Sequence, residues 1–321
     1  MKALSIAVIA ATLATPLAHS DMEETRTTLR QHVLQLINRD RALYNLPPVQ
    51  LDVESSAMGD EYCRTQIRNG TTGHFTTDGH TPYMRYSFAG GNDGVSENAA
   101  AWSATYAFSE RALYEMARRS QDAMMAEMPP KDGHRRTILD PHATHAGIGL
   151  AWERGEFRLV HEFIRRYVDW TRVLQRQASL ADQQIILAGR PLHGTSVEAI
   201  TVHHEPLPQP IAAATASALD NYSLPEKRKE YLPRLRQSVK RRHDGSIEIV
   251  RREYSDGSRG HFFHGPDGAF SFPVPFAEGE GVYTVVVWVR KGGFEQPIAV
   301  SNVSIRVDSA LQSAVRASAT R

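Results

Sequence analysis

The chain has 321 residues, of which 41% are hydrophobic and 23% charged; this is the length of two ordinary domains and too apolar for disorder throughout. Its 37 Lys and Arg against 36 Asp and Glu leave a net charge of +1, which argues against nucleic acid as the main partner because phosphate binding needs a concentrated basic surface. Cys63 is the single cysteine, so no intrachain disulfide forms and stability rests on packed cores.

At the start, Lys2, the apolar run "ALSIAVIAATLATPLA" and Ala18-His19-Ser20 have the order of a secretory leader, predicting a signal peptide over 1–20 and a secreted or periplasmic product. No later stretch approaches the roughly 20 apolar residues of a transmembrane segment. Leu29, Val33, Leu36 and Ile37 then share one face at helical spacing, and Pro47-Pro48 ends the pattern. A second helix is expected from Asp52 to Asn69, stopped by Gly70 and carrying Cys63 as a small buried filler. "GHFTTDGHTPYMRYSFAGG", from Gly73, has no period and reads as a rigid irregular loop built on Gly79, Pro82, Gly90 and Gly91 that carries Arg85. A third helical region is expected near Ser96 and a fourth from Phe108 to Pro129-Pro130, followed by strands from His145 and Phe157. These make an α+β unit over 21–168.

The second half consists of short runs rich in β-branched and aromatic residues, among them "QQIILAGRPL", "VEAITVHHEPL", "GAFSFPVPF" and "GVYTVVVWVRKGG". They predict an all-β, immunoglobulin-like sandwich over 183–308, after a linker at 169–182 and before a flexible tail at 309–321. Phe270, Phe272, Val274 and Phe276 share a face, and Pro273 and Pro275 restrict that strand to an edge or a bulge. In "PEKRKEYLPRLRQSVKRRHDG", Tyr231, Leu235 and Val239 could form the buried side of a short basic helix; the stretch reads as a solvated helix or loop, or as a contact with an anionic cell-surface polymer.

Gly73-His74, then Glu97 in "VSENAAAW", then His134 in "KDGHRRTILDPHATHAGIGLA" occur in an order and spacing that resembles the CAP superfamily, the cysteine-rich secretory, antigen 5 and pathogenesis-related proteins, in its bacterial branch. The resemblance covers about Leu29 to Val168. It implies an α-β-α sandwich with a surface cleft lined by two histidines and two acidic residues. His74 matches the first histidine, Glu97 the first acid and His134 the second histidine. Glu127, on the helix just before His134, stands about where the second acid is placed, with Met124 and Met125 in place of a tryptophan-centred context. The disulfide-dependent loops of eukaryotic members do not carry over, and His80, His142 and His145 match no family role and read as structural.

Two neutral imidazoles can hold Zn²⁺ or another divalent cation, with carboxylates orienting the rings. The chain has no H-E-x-x-H helix and no G-x-S-x-G elbow, and His161-Glu162 lacks a second histidine at the zinc-binding spacing. Three readings follow. The first is an exported binding protein whose cleft holds a metal at His74 and His134 together with a small-molecule, lipid or cell-surface ligand. The second is a metal-assisted hydrolase with Glu97 or Glu127 as base. The third is a hydrogen-bonded network that only holds the cleft.

Overall fold

Leu29, Val33, Leu36 and Ile37 are all buried along α1 (His19–Leu43) in the computed structural model, which describes residues 19–310. The leader over 1–20 and the tail over 309–321 fall, but for two residues each, outside the described residues. After β1 (Gln50–Leu51), α2 (Val53–Asn69) starts where Asp52 accepts the backbone N–H of Ser55 (2.7 Å) and stops at Gly70, whose φ of 63° is the left-handed turn that glycine allows. There follow α3 (Pro82–Phe88), β2 (Gly94–Ser103), α4 (Glu110–Met125), α5 (Gly133–Ile138), β3 (His145–Glu153) and β4 (Glu156–Arg165).

The four strands form one sheet in the order β1-β3-β4-β2, with β3 and β4 antiparallel. Alternation along β3 sorts the layers. Ala146, Ile148 and Leu150 enter an apolar cluster with Leu29, Val33 and Ile37 of α1 and Leu113, Met116 and Ala117 of α4. The intervening Gly147, Gly149 and Ala151 face α2, where Ala151 packs in a cluster with Tyr62 and Cys63. A Cβ on Gly149 would stand 2.3 Å from the carbonyl carbon of Gly59, so the helix lies directly on the strand because both contact residues are glycines. The result is an α-β-α sandwich.

Two local expectations are corrected. The stretch near Ser96 is the edge strand β2, not a helix: the alanines after Asn98 favour helix locally, and pairing with β4 overrides that preference. The irregular loop after Gly73 contains a helix, α3, capped by Thr81 with Pro82 in its first turn, and it buries Tyr83, Met84 and Tyr86.

The second half is a sandwich of β5 (Val168–Trp170), β6 (Gln177–Ser179), β7 (Gln184–Pro191), β8 (Ser196–Glu205), β9 (Arg228–Tyr231), β12 (Phe263–His264), β13 (Phe270–Pro275), β14 (Gly281–Arg290), β15 (Ile298–Ala299) and β16 (Val303–Asp308), with β10 (Ser238–Arg241) and β11 (Ile247–Val250) forming a separate hairpin. One sheet runs β12-β13-β7-β5; the other runs β6-β16-β14-β8-β9, with β15 paired to β14. Strands β5, β7, β13 and β12 take the A, B, E and D places of an immunoglobulin-like fold, and β16, β14, β8 and β9 take G, F, C and C′. Near the start of β14 the Tyr283 hydroxyl donates to Gly279 O (2.8 Å) and accepts from Glu278 N–H (2.9 Å), the tyrosine corner of such sandwiches. Strand β12 covers only Phe270 and Ser271 of β13, so Pro273 and Pro275, which have no N–H, stand where the outer side of the strand is free.

The boundaries differ from the sequence expectation. Residues 169–182 are not a linker, because β6 and all of β5 but Val168 lie within them and pair with β16 and β7. The chain divides into one unit of residues up to Gly91, Val95–Arg166 and Pro208–Ser223, and a second of Asn92–Gly94, Tyr167–Leu207 and the rest. The segment Pro208–Ser223, with the short helix α6 (Ala213–Ala218), thus leaves the sandwich sequence between β8 and β9 and belongs to the α-β-α unit. The basic stretch around Tyr231 and Val239 is extended, in β9 and β10, rather than helical; Pro233 lies midway and cannot donate a helical hydrogen bond.

Candidate functional site

The backbone just before His74 is fixed from α2, because the Tyr62 hydroxyl and the Gln66 amide both donate to Gly73 O, at 2.9 and 2.8 Å. The imidazole then meets Glu97 on β2, with Nδ1 of His74 2.9 Å from Oε1. The other oxygen of Glu97 accepts from Arg85, which α3 delivers, and the same guanidinium donates to His74 O (3.1 Å) and lies 3.4 Å from the centre of the Tyr62 ring. The Glu97 carboxylate is buried, so the paired arginine and imidazole supply the partners it needs.

Glu97 is held from the far side as well. Its N–H donates to the Tyr222 hydroxyl (2.7 Å), which donates back to Glu97 O (2.8 Å). On an edge strand this hydroxyl takes the place of a neighbouring strand. The Tyr222 ring stands 4.8 Å from that of His74, and burial raises its phenol above the ordinary value, so it keeps the proton it donates. The segment that carries Tyr222 also explains the loop after Gly73. Ile211 N–H donates to Thr77 O (2.8 Å), Thr72 N–H to Ser217 Oγ (3.1 Å), and Gln209 passes so close that a Cβ on Gly79, at φ 84°, would lie 2.4 Å from its carbonyl oxygen.

The second histidine has a parallel arrangement. Glu127 lies past the end of α4 rather than on it, and its carboxylate spans His134, accepting the backbone N–H (2.9 Å) and meeting Nδ1 (2.5 Å). Asn98, next to Glu97, donates to His134 O (3.0 Å), which ties the two histidine groups together. The rings of His74 and His134 are 6.5 Å apart. Below them, fully buried Arg41 donates to Pro47 O (2.9 Å), Ile138 O (2.8 Å) and Asp140 O (2.9 Å), pinning the end of α5.

All four residues singled out in the sequence, His74, Glu97, Glu127 and His134, are therefore brought together. His80 instead pairs with Asp78 (2.8 Å), and His145 with Thr144 (2.9 Å). Cys63 is free and buried, and burial holds its thiol well above the ordinary value, as suits a packed residue. Sequence reasoning set Arg85 on the surface, whereas it pairs with buried Glu97, and missed Tyr222, which lies 125 positions from Glu97 with no local signal. Two further buried groups flank the site. Burial and Glu97 push the Glu162 carboxyl up to about 7, with Ser55 as its hydrogen-bonding partner, and burial pushes the His161 imidazole down to about 3. Among the described residues neither ring nitrogen of His161 has a hydrogen-bonding partner.

With each Nδ1 on a carboxylate, Nε2 of both rings is the donor left for a metal. Among the described residues no group of three or more His, Cys, Asp or Glu is arranged to hold an ion. A cavity of about 620 Å³ adjoins the site, lined by Ser96, Gly133, Arg135, Arg136 and Arg165 among others. Arg165 is paired with Asp140 (2.6 Å) and Arg136 with Asp132 (3.3 Å).

Among the described residues no helix is long and apolar enough to cross a membrane. The family model of the cysteine-rich secretory protein (CAP) family matches residues 34–160. Among solved structures, an extracellular protein containing an SCP domain from Bacillus anthracis is similar at 19% identity, over 48% of this chain and 45% of that one, with a TM-score of 0.37. No curated protein matches. The matched residues 34–160, a CAP domain by that model, lie in the α-β-α unit but for Asn92–Gly94.

Proposed function

We propose that the chain is an exported, non-catalytic binding protein whose cleft takes one divalent cation, Zn²⁺ or a similar ion, on Nε2 of His74 and His134. The supporting observation is the matched pair of Nδ1–carboxylate contacts, at 2.9 and 2.5 Å, which present the same free nitrogen on both rings. With a metal–nitrogen bond of about 2 Å, two imidazoles on one tetrahedral ion have centres roughly 5 Å apart; these stand 6.5 Å apart, so the rings close by about 1 Å to share the ion. The cavity beside them, lined by three arginines against Asp132 and Asp140, keeps one cation in excess and suits an anionic end of a small or extended, lipid-like ligand. Export rests on the leader-like order of residues 1–20.

The hydrolase reading needs a carboxylate free to take a proton from water. Both are engaged: Glu97 by His74 and Arg85, Glu127 by the ring and backbone of His134. Calorimetric titration of metal-free protein with Zn²⁺ tests the binding reading. One site is expected, weaker than a closed structural zinc site, strongly weakened in His74→Ala or His134→Ala and modestly in Glu97→Gln. A folded His74→Ala/His134→Ala protein that binds Zn²⁺ as tightly as the parent would leave the four residues as a structural network.

A further inference from the structure

Among the described residues the hairpin β10–β11 pairs with no other strand. In its register Val239 is opposite Ile249 and Arg241 opposite Ile247, so these four residues share one face. Val239, Ile247 and Ile249 are 66, 64 and 53% exposed, which places three aliphatic side chains together in solvent. A lone two-stranded hairpin is marginal in water, and an uncovered aliphatic face calls for a partner.

The charge around this face says what that partner is. Residues 234–252 contain seven Lys and Arg against two Asp and Glu, although the whole chain carries only +1. Arg242 is paired with Glu248 (3.2 Å), while Lys240, Arg241, Arg251 and Arg252 are exposed and extend from the hairpin into solvent. A second copy of the chain would bring two such basic surfaces together and be repelled. An anionic polymer would satisfy the cations and leave the aliphatic residues in water. A bilayer containing anionic lipid satisfies both, with headgroups on the cations and the acyl boundary under the aliphatic side chains. We propose that the hairpin Ser238–Val250 is a docking surface for an anionic lipid bilayer.

The test is co-sedimentation of the full chain with vesicles of phosphatidylglycerol mixed with phosphatidylcholine, compared with pure phosphatidylcholine. Binding is expected only to the anionic vesicles and should weaken as salt rises. Arg241→Gln, which removes the cation on the aliphatic face, should lower partitioning by roughly fivefold. Val239→Ser/Ile247→Ser/Ile249→Ser should lower it by roughly tenfold or more. Because the hairpin forms a sheet of its own, circular dichroism and melting of both variants should match the parent. Failure of the parent to bind anionic vesicles overturns the proposal. So does binding lowered in Arg241→Gln but indifferent to the aliphatic residues, which identifies an anionic polymer. A parent dimer that dissociates in the triple-serine variant, seen by sedimentation, overturns it in favour of a second copy. The zinc titration is independent of all these outcomes.

Discussion

The two units bury their sheets in opposite ways. Within the strands of the sandwich the buried polar residues are Thr201, His203, Thr284 and Ser304, set in a core of valine, isoleucine and phenylalanine. The α-β-α unit buries Arg41, Asp52, Asp60, Glu97, Arg158, His161 and Glu162 around a smaller apolar core. Hydrophobic burial needs only shape, whereas buried charge needs partners in fixed positions. The first unit therefore depends on placement and the second on packing, and the candidate site lies where placement dominates.

The largest test of this contrast sets Arg41 against a sandwich valine. Arg41→Met leaves the carbonyls of Pro47 and Ile138 without their donor, and Asp140 O with Ala143 N–H alone, and should cost about 3 kcal/mol, while Val285→Ala, a cavity in the sandwich, should cost about 2 kcal/mol. Urea unfolding of each variant measures both, and the reverse ranking would break the comparison.

The next test is pH. Glu162 at about 7, against an ordinary 4.5, takes up a proton more readily in the folded state, so its contribution is present below 4.5 and is lost as pH rises through about 7. His161 at about 3, against 6.5, gives a contribution present above 6.5 and lost as pH falls through about 3. Between pH 4.5 and 6.5 the two slopes oppose and nearly cancel. Glu162→Gln should uncover the His161 slope, with stability rising with pH across this window by up to about 3 kcal/mol. His161→Leu should uncover the opposite slope. Melting temperatures across the window read both, and parallel profiles in the two variants would contradict the pairing.

His161→Leu should also raise stability near neutral pH by about 1–2 kcal/mol. It removes two unpartnered ring nitrogens from the sheet face shared with Leu159 and Phe163. A loss in chemical denaturation would mean that the imidazole has a partner. The smallest effect is expected at Tyr222. Tyr222→Phe keeps the ring against His74 and deletes the two bonds to Glu97, so Zn²⁺ affinity should fall by roughly three- to tenfold, with a change in the His74 ring nitrogen signals in NMR. Unchanged nitrogen signals would reduce Tyr222 to packing.

Much of this was legible in the sequence because it is local. The stripe from Leu29 to Ile37, the cap at Asp52, the stop at Gly70 and the alternation in β13 each follow from a few neighbouring residues. The order of Gly-His, Ser-Glu-Asn and Gly-His-Arg placed His74, Glu97 and His134, and Glu127 followed only from its position just before the last of them. What escaped is set by long-range pairing. Helix-favouring alanines become an edge strand because β4 is beside them, and apolar spacing near Val239 fits a hairpin as well as a helix until Pro233 is weighed. Tyr222 was out of reach because its meaning lies in the backbone of Glu97, more than a hundred residues away.

The placement of Pro208–Ser223 makes contiguity along the chain a poor guide to what can be separated. A fragment ending at Val168 would contain all four cleft residues and every strand of their sheet, yet lack the hydroxyl that closes the backbone of Glu97. It would expose an unsatisfied strand edge beside the histidines, which is a template for self-association. Any recombination that moves this domain to a new host must carry the later segment with it, so the two halves of the chain are inherited as one piece.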